Sequence, residues 1–434
     1  MTDIPRYELN SRRRALQLSG TAISTALAGC IGGGVGVLGS DDGWSCPDDT
    51  QPFPDDWPLV GYDKQNTSSN PNATGPKDEA EVRWTDGGSQ NLWGTPVVAD
   101  DTVYVQESPN QLTAFARDSG SKRWARQFEP TDSSKSTDQY TGSHLTPAVV
   151  GDTVYVGGGD FVVEKNGPEL KRVENRIHLY AVDRHTGDVR WTIQPDDFID
   201  TPPVVVDDVV LFVTRVGTVY AVDTMRESVA WTLSIGERDA PLPPFAVDGC
   251  QLYLNAFGDG LYAIDVESGE LNWNLPAIKA GAAPAIADGT VYVGGRNGVL
   301  YAVNPESESV EWQRDLGRAI STASPAVASG TVFVGTADGD SGDELSRIHA
   351  LDAETGERVW AADTREFVNS SPAVADGVAY VAAHETVYGF DAESGDELWT
   401  HEVHGSVRAP LSVTDGTIFA ATTYGQLYAF AESE

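Results

Sequence analysis

The chain has few basic residues, cysteines and methionines. Its 434 residues include 29 Lys and Arg against 65 Asp and Glu, which gives a formal net charge of −36. No cluster of Lys or Arg lies within its regular part, and this argues against nucleic acid as a partner. So acidic a surface suits salt-rich surroundings and a salt-adapted (halophilic) protein, because molar salt shortens the Debye length to roughly 3 Å and screens self-repulsion.

Cysteine is limited to Cys30, Cys46 and Cys250, no two of them adjacent. Export would permit a disulfide between Cys46 and Cys250. Cys46 belongs to an irregular segment and Cys250 to a predicted strand, so the sequence leaves this pairing open.

Residues 1–29 have the pattern of an export signal. Paired arginines at Arg12-Arg13 precede an uncharged, mildly apolar run over residues 15–29, which resembles a twin-arginine signal. The run ends in Leu-Ala-Gly before Cys30 and resembles a lipobox, in which Cys30 takes a lipid. An uncleaved anchor over residues 15–38 is the alternative, but its many Gly, Ser and Thr would make a poor spanning helix. We therefore predict a lipoprotein on the outer side of the cell membrane, with residues 30–56 as a flexible tether.

The chain from residue 57 onwards is organised by one repeated unit. At residues 350–360 it reads ALDAETGERVW, a short apolar strand, a polar turn and a second strand carrying Trp. The Gly four positions before Trp suits a turn with positive φ. Copies with this Gly end at Trp124, Trp191, Trp273, Trp360 and Trp399, and copies with Glu227 or Glu308 in its place end at Trp231 and Trp312.

Each unit is predicted to form four antiparallel strands, the last of which carries Trp. The eighth unit, residues 410–430, lacks its Trp strand, whereas a spare one around Trp84 precedes the first unit. Pairing the two would leave no long unpaired edge. We therefore predict an all-β, eight-bladed propeller over residues 57–434, closed into a ring by the Trp84 strand.

The recurring Ala-x-Asp-x-x-Thr-Gly-x-x-x-Trp signature resembles the repeat of PQQ-like (quinoprotein-type) β-propellers. The resemblance implies that the eight repeated Trp side chains dock between neighbouring blades. The family includes quinone-dependent alcohol and sugar dehydrogenases, and it also includes non-catalytic lipoprotein propellers that act as scaffolds in envelope protein assembly. A propeller repeat specifies fold better than function.

The sequence offers no catalytic signature. The dehydrogenases share an adjacent Cys-Cys disulfide, carboxylate and Asn ligands for Ca²⁺, and a Trp beneath the quinone; here no cysteines are adjacent, and only Trp93 is a spare Trp in a blade-forming region. We predict no catalytic residues and no PQQ. His401 and His404 would point to opposite faces of a strand. His349 stands where six other units carry Tyr, and we interpret it as structural.

The cluster of Asp338, Asp340 and Asp343 superficially resembles a Ca²⁺ loop, but its register departs from the EF-hand pattern. A solvated acidic turn is the simpler interpretation, and Ca²⁺ remains an alternative. Asn66, Asn72 and Asn369 begin N-x-[ST] sequons, which match often by chance.

Three insertions interrupt the repeat, and in repeat folds insertions commonly carry function. One includes Tyr140 and His144, the second spans residues 157–175 and the third is the acidic loop at residues 338–344. The strand order predicts all three at one face. The second insertion contributes Phe161, Lys165, Lys171 and Arg172. Aromatic residues within a charged rim suit a partner-binding face, in contrast with uniformly acidic turns opposite; tolerated loop growth is the alternative.

We therefore predict a monomeric, membrane-anchored propeller that binds envelope or cell-surface proteins without catalysing a reaction. A quinone-dependent oxidoreductase and a channel that binds carbohydrate or another small ligand are the alternatives. The missing Cys-Cys pair disfavours the first alternative. The sequence does not separate scaffolding from ligand binding in the channel.

Overall fold

The computed structural model describes residues 56–433 except 88–90, 108–109, 129–145, 160, 167–168, 237–242, 257–259, 279–280, 321–323, 337–345 and 369. The predicted signal, the lipid site Cys30 and most of the tether lie outside these ranges. Within them all regular structure is β, and no helix is long and apolar enough to cross a membrane.

Eight four-stranded antiparallel sheets form the eight blades. The first strand, β1 (Ala80–Gly87), comes before blade 1 in the sequence but pairs within blade 8. Blade 1 contains β2 (Val97–Ala99), β3 (Thr102–Glu107), β4 (Gln111–Ala116) and β5 (Lys122–Gln127). Blade 2 contains β6 (Ala148–Val150), β7 (Thr153–Gly158), β10 (His178–Asp183) and β11 (Val189–Ile193), and a separate hairpin of β8 (Phe161–Asn166) and β9 (Glu169–Asn175) is inserted between β7 and β10. Blade 3 contains β12 (Val204–Val206), β13 (Val209–Val213), β14 (Thr218–Asp223) and β15 (Ser228–Ser234). Blade 4 contains β16 (Ala246–Asp248), β17 (Gln251–Ala256), β18 (Gly260–Asp265) and β19 (Leu271–Leu275).

The remaining blades repeat this order. Blade 5 contains β20 (Ala285–Ala287), β21 (Thr290–Gly294), β22 (Val299–Asn304) and β23 (Ser309–Asp315). Blade 6 contains β24 (Ala326–Ala328), β25 (Thr331–Thr336), β26 (Ser346–Asp352) and β27 (Arg358–Thr364). Blade 7 contains β28 (Ala373–Ala375), β29 (Val378–Ala383), β30 (Thr386–Asp391) and β31 (Glu397–Glu402). Blade 8 contains β32 (Ser412–Thr414), β33 (Thr417–Ala421), β34 (Gln426–Glu432) and β1.

Burial follows the distance of a strand from the ring axis. The first strands of neighbouring blades lie against one another around the axis, and we call them the inner strands. The second and third strands of each blade, such as β13, are buried on both faces because a neighbouring blade covers each side. Outer strands such as β23 alternate between exposed and half-buried residues. The core is therefore divided among the interfaces between blades.

The signature Trp joins each blade to the next. Six of the eight indole N–H groups donate to a backbone carbonyl of the following blade: Trp84 to Arg117 (2.8 Å), Trp124 to Arg184 (3.0 Å), Trp231 to Val266 (2.8 Å), Trp312 to Ala353 (2.9 Å), Trp360 to Ala392 (2.9 Å) and Trp399 to Pro76 (2.9 Å). Each of these carbonyls lies at the approach to an outer strand. The Trp spacing of the sequence is thus the spacing of the blade interfaces.

The Asp and Gly of the signature shape the turn that receives this Trp. In blade 6 the Asp352 side chain accepts hydrogen bonds from the N–H and hydroxyl of Thr355, and these bonds lower the pKa of its carboxyl. Gly356 has a φ of +66°, and Glu227 and Glu308 adopt similar values of 52° and 53°. Because a Cβ at Gly356 would lie 2.5 Å from Trp312 Cε3, glycine is needed for space as well as for its dihedral angle.

Gly356→Ala is expected to lower the free energy of unfolding by about 1 kcal/mol for the left-handed backbone and by a further 1–3 kcal/mol for the contact with Trp312. Gly289→Ala is the matched control, because Gly289 has a φ of +75° in a turn with no atom within 4 Å of its would-be Cβ. Chemical denaturation of both variants measures the difference, and equal losses would show that the Trp contact contributes nothing.

The ring is closed by the first and last strands, as predicted. β1 pairs antiparallel with β34, and Trp84 lies opposite Ala429. The Glu432 carboxylate then accepts the backbone N–H groups of Lys77, Asp78 and Glu79 at 2.6–3.2 Å. Partial burial raises the pKa of Glu432, but these N–H groups and the Lys77 charge outweigh it, and the pKa lies below its usual value.

Candidate functional site

Residues 56–70 lie inside the ring of inner strands and form a segment that we call the plug. In six blades the central residue of the inner strand donates its backbone N–H to a plug carbonyl. These bonds run from Val98 to Trp57, Val149 to Pro58, Val247 to Lys64, Ile286 to Gln65, Val327 to Thr67 and Val374 to Ser68, at 2.7–3.0 Å. The plug therefore follows the inner wall of the channel from blade to blade.

The plug forms hydrogen bonds with the inner edges of the blades, whose backbone groups would otherwise be unpaired. An inner strand pairs with its own blade on one side only, so its other side presents unpaired N–H and C=O groups. Trp57 pairs with Val98 in both directions, at 3.0 and 2.8 Å. Side chains extend the pairing, because the amide of Asn66 donates to the Pro284 carbonyl at 2.8 Å.

The plug also contributes an apolar centre. Trp57 is fully buried and Tyr62 is 3% exposed, and their ring centroids lie 5.4 Å apart. Both belong to a core cluster with Val98 and with inner-strand residues of blades 7 and 8. Leu59 packs into the core cluster that contains Val205 of blade 3. Among the described residues, no plug carbonyl accepts a hydrogen bond from the backbone N–H of Val205, the central residue of that inner strand. Sequence reasoning missed these residues, although the apolar Trp57-Pro58-Leu59-Val60 stretch outside the repeat was a usable signal.

Burial decides how two of the three sequons can be interpreted. Asn66 is 3% exposed and its amide nitrogen is already hydrogen-bonded inside the channel, so a glycan would not fit there. Asn72 is exposed. Asn369 lies outside the described residues.

Because successive strands of a blade run in opposite directions, their connections lie alternately at two faces of the propeller. The turn face carries the turns between first and second strands, such as Asp288-Gly289, and those between third and outer strands. The loop face carries the connections between second and third strands and between blades. The residues that flank all three insertions lie at the loop face, as the sequence predicted.

The described part of the insertions is the β8–β9 hairpin. Its strands pair from Phe161–Asn175 to Asn166–Glu169, and Lys165, Lys171 and Arg172 lie on them. Tyr140, His144, Asp338, Asp340 and Asp343 lie outside the described residues, so their grouping stays a prediction.

Other loop-face residues add aromatic and basic groups. Arg215 lies over the Phe198 ring at 5.1 Å and 3.5 Å from the buried Asp200 carboxylate. Arg408 lies over the Trp93 ring at 5.3 Å. Tyr424 is 60% exposed.

The prediction of a uniformly acidic turn face is wrong, because that face also carries Arg117, Arg184 and Arg226. Arg184 pairs with Asp100 at 2.6 Å.

The other candidates for chemistry have structural surroundings. His349 is 2% exposed on β26, and burial, followed by the nearby charges of Arg358 and Arg347, lowers its pKa to about 4. The His401 ring packs against Phe430, and the His404 ring packs against Tyr424. No cluster of His, Cys, Asp or Glu suited to a metal ion occurs among the described residues.

Cys250 lies in the turn between β16 and β17 rather than in the predicted strand, and it is disulfide-bonded. The other two cysteines of the chain, Cys30 and Cys46, lie outside the described residues.

Comparison with known proteins agrees with this architecture. Curated relatives include the outer membrane protein assembly factor BamB of Yersinia pestis, 28% identical over 51% of this chain and 56% of that protein, and that of Moranella endobia, 24% identical over 61% and 66%. The chain thus matches about half to two thirds of their length. Solved structures with the same fold include BamB from Moraxella catarrhalis (TM-score 0.63, 13% identity, 81% and 99% coverage) and a europium-containing methanol dehydrogenase (TM-score 0.70, 13% identity, 88% and 98% coverage).

These matches confirm the predicted PQQ-like propeller. The family model described as outer membrane protein assembly factor BamB matches residues 76–274, 258–346 and 344–434. The chain belongs to the family of the outer membrane protein assembly factor BamB.

Proposed function

We propose that this protein is a non-catalytic scaffold that binds other proteins of the cell envelope through its loop face. The observation that carries the proposal is the plug: the chain occupies its own channel and bonds to the inner strands of six blades. Relatives named as outer membrane protein assembly factors support a role in envelope protein assembly.

A quinone in the channel is the competing possibility, because one fold neighbour is a methanol dehydrogenase. At 13% sequence identity, this likeness shows a shared fold and gives no information about a shared reaction. A flat cofactor on the axis would need room between the inner strands at the level where Trp57 and Tyr62 are buried. The residues present do not fit such a group, and we derive no step through it. The buried Trp57 and Tyr62 side chains also leave no room for another small ligand at this level of the channel.

The loop face has the groups that protein partners use. Aromatic residues and Arg are enriched in interfaces and dominate their binding energy. Described connections on this face carry Arg176, Arg215, Arg296, Arg318, Arg365, Arg408, Trp93 and Tyr424. The β8–β9 hairpin adds a second sheet that blades 1 and 3–8 lack among the described residues.

The proposal also includes how the protein is exported and held at the membrane. Twin-arginine export, cleavage before Cys30 and a lipid on Cys30 would hold the propeller at the outer side of the membrane as a monomer. Cys30→Ser would then release the folded protein from membranes.

Replacing residues 162–174 with Asn-Gly is expected to abolish partner capture while the ring stays folded. Phe161 pairs with Asn175, so a two-residue turn can join the remaining ends. Cross-linking in intact membranes, followed by mass spectrometry of co-purified proteins, compares this variant with the full chain.

Two further variants make the test specific. Charge reversal at Lys165, Lys171 and Arg172 keeps the hairpin length and should weaken capture, whereas Glu354→Lys with Glu393→Lys on the turn face should not. Full partner recovery by the trimmed protein would reject the loop face as the binding surface. Alcohol- or sugar-dependent dye reduction after addition of pyrroloquinoline quinone would reject the non-catalytic assignment.

A further inference from the structure

The plug leaves the channel by a turn that exposes one of the three sequons. Near its end the plug pairs in parallel with Val374 of inner strand β28, whose carbonyl accepts the backbone N–H of Asn70 at 2.9 Å. β28 runs from the loop face to the turn face, so the plug runs the same way at this point. The Thr74 carbonyl then accepts the backbone N–H of Gly416, in the first turn of blade 8, at 2.9 Å. The sequon Asn72-Ala73-Thr74 therefore lies on the turn face.

The side chain of Asn70 builds this turn. Asn70 is 0% exposed, and its amide nitrogen donates to the Asp56 carbonyl at 3.1 Å. Its side-chain oxygen accepts the backbone N–H groups of Asn72 at 3.0 Å and of Ala73 at 3.1 Å, which is an Asx turn. Ala73 is buried, whereas Asn72 and Thr74 on either side of it are exposed. The buried amide thus fixes a turn in which both residues that define the sequon are at the surface.

The sequon that begins at Asn66 has the opposite surroundings. Asn66 is buried, and its amide nitrogen donates to the Pro284 carbonyl inside the channel at 2.8 Å. Its third residue, Ser68, is 1% exposed and donates its backbone N–H to the Gly61 carbonyl at 2.9 Å. A sugar on Asn66 would need the space between the plug and the inner strands. Burial therefore separates two sequons that the residue types alone make equivalent.

We propose that Asn72 carries an N-linked glycan. Sequons on surface segments of exported chains are the acceptors of this modification. In the transfer, the side-chain nitrogen of Asn72 forms a bond to C1 of a sugar, the bond from C1 to a lipid-linked diphosphate breaks, and the nitrogen loses one proton. The lipid diphosphate leaves with the bonding electron pair, so the step needs no oxidant or reductant. This inference rests on the export included in the proposed function.

A glycan on Asn72 covers the part of the turn face beside blades 7 and 8, because Asn70 pairs with blade 7 and Thr74 with blade 8. Glycans are bulky and strongly hydrated, and they keep other proteins away from the surface that they cover. The loop face, with Arg408 and Tyr424, stays uncovered. The glycan therefore leaves the loop face as the larger surface for protein partners.

Peptide mapping of the full chain, recovered from the membranes of its own cells, tests the site. Trypsin releases residues 65–77 as one peptide, because Lys64 precedes it, Lys77 ends it and no other Lys or Arg lies between them. Asn66 and Asn72 both lie in this peptide, so Asn66 is an internal control. Fragmentation should place the added sugar mass on Asn72 and none on Asn66. An unmodified peptide, or a sugar on Asn66, would overturn the inference.

Three variants make the assignment specific. Asn72→Gln and Thr74→Ala should lose the sugar mass completely, whereas Thr74→Ser keeps the hydroxyl of the sequon and should keep the glycan. All three should fold, because both positions are exposed. A glycan that persists on Thr74→Ala, or one that is absent from Thr74→Ser, would contradict transfer through this sequon.

Labelling of intact cells with a membrane-impermeant amine reagent, on a parallel aliquot, separates this inference from the proposed function. A protein that is labelled from outside but carries no glycan overturns the glycan and leaves the scaffold proposal standing. A protein that is protected inside the cell rejects the proposed export, and the glycan with it.

Discussion

Trp57→Ala should lower the free energy of unfolding by about 3–5 kcal/mol, the usual loss for a fully buried aromatic residue. Trp57 is 0% exposed, packs against Tyr62 and joins the core of blades 1, 7 and 8. The substitution removes the centre of the plug, so the effect should extend beyond one blade.

Two measurements check this prediction. Chemical denaturation gives the loss directly, with Met225→Ala as a control near zero because Met225 is 76% exposed. Hydrogen exchange should show faster exchange of the Val98, Val149, Val247 and Ile286 amides, whose N–H groups bond to the plug. A loss below about 1 kcal/mol with unchanged exchange would show that the plug is only an appendage.

The second large effect is acid lability from His349. Its pKa is about 4 in the folded chain, against an ordinary 6.5, so between these values the unfolded state binds the proton first. Stability should therefore fall as the pH drops from about 6.5 to 4, by about 3 kcal/mol in total from this one residue. No such contribution should appear above pH 6.5.

The test compares the pH dependence of unfolding with and without the imidazole. His349→Phe should remove this part of the acid loss and leave the losses from carboxylates unchanged. His349→Tyr is the matched second variant, because Tyr180, Tyr220, Tyr262, Tyr301, Tyr388 and Tyr428 occupy the same position in other blades. Parallel curves for the original chain and both variants over pH 4–6.5 would contradict the prediction.

The sequence predicts the ring because the repeat is local and regular. Trp, Asp and Gly recur in register, and each has a geometric task within one turn and one blade interface, as at Asp352, Gly356 and Trp312. Ring closure was also predictable, since a missing outer strand and a spare one require each other. These inferences rest on side-chain types at fixed spacing.

The plug was not predictable in the same way. Its hydrogen bonds come mainly from backbone groups, such as the Val247 N–H to the Lys64 carbonyl, and backbone groups leave no mark in the residue types. Its residues also form no regular strand that a period could reveal. The unpaired inner edges of eight blades gave a reason to expect some occupant, and the apolar stretch at Trp57 was the segment available.

Closure by β1 and β34 also constrains the order of folding. Ser433 donates its backbone N–H to the Glu79 carbonyl, so the ring can close only after every residue between these two has been synthesised. Contacts this distant in sequence slow folding, and blades formed early keep an open edge in the meantime. Because the plug precedes the blades in the chain and bonds to blades 1, 2 and 4–7 in the folded protein, it is available as a template on which successive blades can assemble.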